Sequence, residues 1–496
     1  MSTRNGTGRE PGRPSRRRAI AVLTGAMAGA AVAGGAVAWP RGGGRGTGPR
    51  AAAPAGPLLW TAEVSRAQDE SFGPAASGHL LLVDQPSAAR GTERRVVLSC
   101  LETATGRRVW SVPFDGVSGT VQKLLVPGTT PAVVVRTRAA LHAFDLRTGR
   151  ALWRRERNAA PSRSLGVTAG GGLVHDSASE QNAVSSTATR HALQAYEAGS
   201  GRLRWRTEVR PRVSTADAPI HAAGLLLGSA VKADLSPGTE LFAYAVDAAA
   251  GAQRWSCSLG AGDSFGGCGL AYAAGTFYVY ARGTGGLYAV DVSTGKVRWR
   301  AKVKRPPGGG GEGDLSVGRR TLGAGDPVVA GSSVYVCDAY GVLHAFDARD
   351  GREYWTFTTS TTGGARNRRP ASVHLLAGPS EGGQDNASWD DLVYFRVRTN
   401  PSSSESTLYA LSARARRTLW KRPADDSSSG PLLHGGLLYV PDTEAITVYD
   451  PVGGTARHRI DLGALGMGGT GTELVTDGDH VYALARTRVL ALRLED

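Results

Sequence analysis

The fold class predicted for this chain of 496 residues is all-β: one propeller of four-stranded blades. Three observations predict it. An acidic residue, a glycine and a tryptophan recur together at fixed offsets along most of the chain. The stretches around each copy alternate apolar and polar residues with period two, as half-buried strands do. Beyond the N-terminus no long helical pattern is present. Self-similarity of this kind means one supersecondary unit stacked many times.

The intact copies are Glu102/Gly106/Trp110, Asp145/Gly149/Trp153, Glu197/Gly201/Trp205, Asp247/Gly251/Trp255, Asp291/Gly295/Trp299 and Asp347/Gly351/Trp355. Two decayed copies follow, Ser412/Arg416/Trp420 and Asp450/Gly454/His458. Successive end markers lie between 38 residues (Trp420 to His458) and 65 residues (Trp355 to Trp420) apart. A constant hairpin joined by variable loops explains that spread.

Each copy reads as strand, turn, strand. The acidic side chain can accept hydrogen bonds from backbone amides just ahead of it, which sets a turn. The glycine four residues later can take a positive φ without a Cβ clash. A further apolar strand lies upstream, as at 333–337, 276–280 and 437–440. One more strand before it makes four, the size of a propeller blade.

The segments Ala143 to Trp153 and Ala289 to Trp299 both fit Ala-x-Asp-x-x-Thr-Gly-x-x-x-Trp. That pattern resembles the tryptophan-docking motif of the pyrroloquinoline-quinone-like propeller repeat family. The resemblance runs from about residue 57 to the C-terminus. It implies that Trp110, Trp153, Trp205, Trp255, Trp299, Trp355 and Trp420 pack against neighbouring blades. Each buried indole removes roughly 150–250 Å² from water.

The chain ends suggest how the ring closes. The segment Leu58 to Val64 looks like a tryptophan strand (Trp60) without its hairpin partner, and Arg488 to Leu494 like the missing partner. Counted literally the units come to nine. The family usually closes with eight, so eight blades are expected and nine stays open.

The expected organisation is an export signal over 1–38, a flexible linker over 39–56 and the propeller over 57–496. Residues 1–18 are polar and basic, 19–39 are uncharged and rich in Ala, Gly and Val, and Ala36 to Ala38 offer small residues for cleavage. That is the order of an export signal. Ser15, Arg16 and Arg17 resemble a twin-arginine signal, from which Ala19 departs. The alternative is a membrane anchor retained through 19–39. Either form places the propeller outside the cytoplasmic membrane. The linker is Gly, Pro, Ala and Arg without periodicity.

The net charge of +15 invites a nucleic-acid reading. Residues 1–38 hold six Arg and one Glu, giving +5, and Arg41, Arg45 and Arg50 add +3, so +7 remains on the propeller. No stretch interleaves basic and aromatic residues beyond the repeated tryptophan strands. A solvated basic surface is expected, with no nucleic-acid partner. A monomer is expected as well.

Of four cysteines, Cys257 and Cys268 lie close in sequence, and an oxidising compartment makes them a candidate disulfide. Cys100 and Cys337 are read as buried thiols.

No catalytic set emerges. The ten histidines show no metal-ligand spacing. His142 and His344 hold the same place before the motif alanine, and His191 lies beside a repeat strand, so packing or channel-facing roles are expected. The glycine runs at 308–313 and 468–471 lead into no helix, and neither do the Gly-x-Ser-x-Gly matches around Ser264 and Ser380. Quinoprotein dehydrogenases of the resembling superfamily carry adjacent cysteines at their cofactor, with a calcium ion and an Asp base. This chain has no Cys-Cys pair. No pyrroloquinoline quinone, metal or other cofactor is therefore expected. Segments 176–190, 305–326 and 360–390 are the candidate binding loops.

These features predict an exported, non-enzymatic scaffold that docks a protein or an envelope polymer on one propeller face. A quinone- and calcium-dependent oxidoreductase is the alternative. A glycan- or lyase-type enzyme using Asp338, Asp390, Asp391 and Asp442 is a third reading.

Overall fold

The structure is a computed structural model. It describes residues 58–493 apart from stretches between strands, the longest being 85–95, 115–122, 158–166, 304–325, 359–371 and 378–391. The expected export signal and linker lie outside the described residues.

Among the described residues the strands, β1 to β37 in chain order, form nine sheets. Blades 1 to 3 are β2–β5 (72–114), β6–β9 (123–156) and β10–β13 (167–208). Blades 4 to 6 are β14–β18 (213–261), β19–β22 (268–302) and β23–β26 (328–357). Blades 7 and 8 are β27–β30 (372–425) and β31–β34 (432–461). Blade 9 joins β35–β37 (473–493) to β1 (Leu58–Glu63), which pairs antiparallel with β37. In blade 4 the first strand is broken, so that β14 (Val213–Ala216) and β15 (Ile220–Ala222) both pair with β16. First strands of neighbouring blades touch, including β2 with both β6 and β35, and so line the ring axis.

The expected count of eight is thus corrected to nine. Eight required one decayed or terminal unit to be incomplete, and none is. Blade 7 carries Arg416 at the motif glycine and blade 8 carries His458 at the tryptophan, yet both keep four strands. Ladder hydrogen bonds and alternating apolar faces hold a sheet together without the motif.

The core sits between blades, because the side chains of a strand alternate between its two faces. In blade 1, Leu80, Leu82 and Leu101 pack toward blade 9, while Leu81, Val83, Leu98 and Cys100 pack toward blade 2. The same division recurs around the ring, from the seam of blades 4 and 5 to that of blades 8 and 9.

The motif pins seven of the nine seams at one end. Asp145 Oδ1 accepts the amide and hydroxyl of Thr148, and Asp291 Oδ1 does the same for Ser293 and Thr294. The Ser293 hydroxyl first, and then the Arg298 guanidinium, hold Asp291 far below the usual carboxylate range. The motif glycines take φ of 65 to 74° and lie under the indole of the preceding blade. A Cβ on Gly106, Gly149, Gly201, Gly251, Gly295, Gly351 or Gly454 would fall within 3.0 Å of that ring. The indole N–H then donates to the carbonyl of the residue after the motif acid. Seven tryptophans do this at 2.7 to 3.1 Å: Trp60, Trp110, Trp153, Trp205, Trp255, Trp299 and Trp420. Trp60, read from sequence only as an orphan strand residue, docks on Gly106 like the others.

Trp355 is the exception. The next blade offers Arg416 (φ 53°) instead of glycine, and the Trp355 Nε1 is buried without a partner. Phe357, two residues on, meets Phe395 and Tyr409 edge-on, at 6.2 and 5.2 Å. In blade 8, which has His458 at the tryptophan position, Ile460 likewise lies in the core between blades 8 and 9.

Arg416→Gly is therefore expected to stabilise the ring. It relieves a left-handed non-glycine residue and lets Trp355 donate, gains of about 1 kcal/mol each. It loses the Arg416 guanidinium lying 5.2 Å above the Tyr354 ring, roughly 0.5–1 kcal/mol. Thermal unfolding checks the net gain of about 1 kcal/mol.

Candidate functional site

Antiparallel strands alternate direction, so every blade presents one kind of connection to each face. The turn face carries the joints between first and second strands and the motif turns between third and fourth. Two-residue bends such as 223–224 and 274–275 serve the first kind. The loop face carries the second-to-third connections and the passages between blades. Stretches 85–95, 115–122, 158–166, 233–239, 304–325 and 359–371 all join strand ends on the loop face. Segment 378–391 joins ends on the turn face. Of the expected binding loops, 305–325, 360–371 and 378–390 lie outside the described residues, and the intervening 372–377 form β27.

The remaining expected loop, Asp176 to Arg190, belongs to a long hairpin. β11 (Leu173–Asn182) has 10 residues and β12 (Ser185–Glu197) has 13, whereas β13 (Leu203–Glu208) has six. The hairpin therefore runs past its own blade on the loop face, where β12 lies beside β14 of blade 4.

Buried ion pairs hold the base of this hairpin. Asp176 on β11 is 3 % exposed and lies between two arginines of blade 2. Arg157 Nε donates to Asp176 Oδ2 at 2.8 Å, and Arg136 Nε is 3.2 Å from Oδ1. Arg157 also donates to the Ser177 carbonyl at 3.1 Å. Burial pulls Arg136 down to about 10, against the field of Asp176. The apolar cluster at this seam is small, with five fully buried members, so the ionic bridge carries much of the contact. Blade 7 repeats the theme at the matching strand position. Arg396, 1 % exposed, donates to Ser406 Oγ and to the Pro441 carbonyl of blade 8, both at 3.0 Å.

His344 lies in blade 6 with Nδ1 2.7 Å from Glu353 Oε1 and Nε2 3.5 Å from Asp338 Oδ2. Burial alone would lower its pKa, but the two carboxylates outweigh burial and raise it. His142 is buried 5.1 Å from the Phe114 ring. Both are packing residues of third strands, and neither belongs to the first strands that line the axis.

Of the acids of the third reading, the two described, Asp338 and Asp442, do not converge. Asp338 Oδ1 accepts the Val342 amide in blade 6, and Asp442 Oδ1 accepts the Glu444 and Ala445 amides in blade 8, with blade 7 between them. Asp390 and Asp391 lie outside the described residues. So do Ser264, Ser380 and both glycine runs.

The four cysteines are free, including the expected pair Cys257 and Cys268. The reason is topological. Cys257 is on β18, the outermost strand of blade 4, and Cys268 on β19, the innermost strand of blade 5. Three strand spacings of 4.7–4.9 Å separate such positions, roughly 14 Å, against about 7 Å for a bridgeable pair. Cys257 instead packs against the apolar core of that seam. Burial raises the Cys100 thiol to about 12, and burial also holds the Cys337 thiol well above its ordinary value.

A family model described as outer membrane protein assembly factor BamB matches residues 50–174, 137–239 and 239–382. The chain belongs to the pyrroloquinoline-quinone-like propeller repeat family. Among curated proteins it is 30% identical over 182 residues to the serine/threonine-protein kinase AfsK of Streptomyces griseus. That match covers 35% of this chain and 20% of the kinase, so the chain spans about a fifth of its relative. Among solved structures, BamB from Moraxella catarrhalis aligns with 88% of this chain and 97% of its own, at 14% identity and a TM-score of 0.45. The quinohemoprotein alcohol dehydrogenase ADHIIG from Pseudomonas putida HK5 aligns with 88% of this chain and 76% of its own, at 14% identity and a TM-score of 0.48.

Some members of the wider superfamily hold a quinone and calcium, but the residues here do not fit that pair. The cysteines sit in blades 1, 4, 5 and 6, with no two adjacent. Among the described residues no three His, Cys, Asp or Glu side chains gather as a metal site would need.

Sequence reasoning missed the Arg136–Asp176–Arg157 bridge and Arg396. A signal did exist. Arg136 ends the run Ala132 to Val135, and Arg396 follows Leu392 to Phe395, so each charge interrupts a stretch of buried-strand composition.

Proposed function

We propose that this chain is a non-enzymatic docking scaffold whose loop face holds a protein or an envelope polymer outside the cytoplasmic membrane. The observation carrying this reading is the division between the faces. One face carries mostly short turns, segment 378–391 apart, while the other gathers most long connections and a projecting hairpin. Binding residues concentrate on such loops. The family model's description as an assembly factor points the same way. Export rests on the basic, apolar and small-residue order of residues 1–38.

The test is affinity capture from a cell-envelope extract with three forms of the protein. The parent should retain a defined partner. Shortening 179–188 to a two-residue turn should lose it. Arg202→Glu with Arg254→Glu, both on the turn face, should keep it. Capture that is absent, or that fails only with the turn-face variant, rejects the proposal.

A further inference from the structure

Two buried histidines, His175 and His191, and a half-buried one, His221, lie on one seam, that between blades 3 and 4. His175 on β11 stacks on His221 of β15, with centroids 5.6 Å apart and planes 14° from parallel. His191 on β12 meets the ring of Tyr244 on β17 at 6.5 Å. His175 Nε2 is 2.9 Å from the Ala248 carbonyl, which also accepts the Trp205 N–H at 3.1 Å. Its Nδ1 and the His191 Nε2 are buried without partners. His221 is seated because Gly170 opposite has no side chain; a Cβ there would fall within 3.0 Å of the imidazole.

Among the described residues, no acid is recorded against these rings. Gly170 of β10, Trp205 of β13, Tyr244 of β17 and the Ala248 carbonyl pack around them. Asp176, beside His175, points to the other seam, between Arg136 and Arg157. Asp247, beside Ala248, is turned to Arg254 at 2.6 Å. Arg206 and Glu208 on β13 are exposed. Elsewhere His344 has two carboxylates, so acid favours its burial and disfavours that of the trio.

We propose that this seam is an acid-operated latch. On acidification its three imidazoles take up protons, blade 3 parts from blade 4 ahead of the rest of the ring, and the β11–β12 hairpin is released from β14. Burial lowers His175 and His191 to about 4, and lowers His221 as well. The seam is therefore fully stable above the ordinary imidazole value of about 6.5 and weakens as pH falls toward 4. Each ring held neutral disfavours the closed seam by up to about tenfold per pH unit in that window. The inference concerns the ring alone and stands whether or not the loop face docks a partner.

Hydrogen–deuterium exchange, corrected for intrinsic rates, tests it at pH about 7.5 and about 5. Residues 173–197 and 220–248 should lose protection by about tenfold or more, while blade 5 keeps it. The double variant His191→Phe, His221→Phe should suppress the loss. Uniform loss around the ring, no loss, or an undiminished loss in the folded variant overturns the latch. If that variant does not fold, imidazole NMR titration of the parent decides. His175 and His191 titrating well below the ordinary imidazole value of about 6.5, with His221 shifted in the same direction, together with the exchange change sustain the latch, and titration of His175 and His191 near 6.5 overturns it.

Discussion

Asp176→Ala is expected to destabilise the ring by roughly 3–5 kcal/mol, because it strands two buried guanidinium groups. Arg136 and Arg157 reach Asp176 from one blade to the next, and all three side chains are under 10 % exposed. The carboxylate is the negative member between two positive ones, so its loss leaves repulsion as well as desolvation. Asp176→Asn should cost less, since the amide oxygen still accepts from Arg157. The triple variant Asp176→Leu, Arg136→Met, Arg157→Met should recover most of the loss, because an apolar set of similar volume avoids burying charge altogether. Chemical denaturation of the four proteins checks the order. If the single alanine variant unfolds like the parent, the ions at this seam are solvated and the description of the hairpin base is wrong.

Gly351→Ala is expected to cost roughly 2–4 kcal/mol, combining a left-handed alanine with an overpacked seam. Gly351 has φ 74°, and a Cβ there would meet the Trp299 ring within 3.0 Å. Gly275 is the matched control, with the same φ of 74° and nothing within 4 Å of its would-be Cβ. Gly275→Ala should pay only the backbone strain, about 1 kcal/mol. The difference between the two isolates docking from conformation. It should also vanish in a Trp299→Ala background, where the cavity left by the indole accepts the methyl group. Equal costs at both positions would mean that the indole does not press on the motif turn.

The docking motif was legible in the sequence because its chemistry is local. An acid that binds amides two and three residues ahead, a glycine of positive φ and a tryptophan four residues on define a hairpin without help from distant residues. The closing strand was legible too, since Trp60 had no motif acid eight residues before it and the C-terminal strand read as a hairpin partner without a tryptophan. The blade count was not. Motif decay at Arg416 and His458 suggested a missing unit, whereas Phe357 and Ile460 still pack into those seams.

The candidate site was far less legible. The Arg136–Asp176–Arg157 bridge and the His175–His191–His221 group join residues from different blades, and nothing in one blade's sequence specifies what its neighbour presents. The division of long connections between two faces follows from strand direction alone, and becomes readable once the four strands of each blade are counted.

Ring closure through β1 is the most direct test of the architecture. Glu63 and Arg488 face each other across β1 and β37, with Arg488 Nη2 3.2 Å from Glu63 Oε1. In the variant Glu63→Cys, Arg488→Cys, mild oxidation should form a bond between chain positions 425 residues apart. A protein cut once in the 304–325 connection should then run as one species on a non-reducing denaturing gel and as two after reduction. Two fragments without reduction, from oxidised protein that is still folded, would contradict a nine-bladed ring sealed by its N-terminal strand.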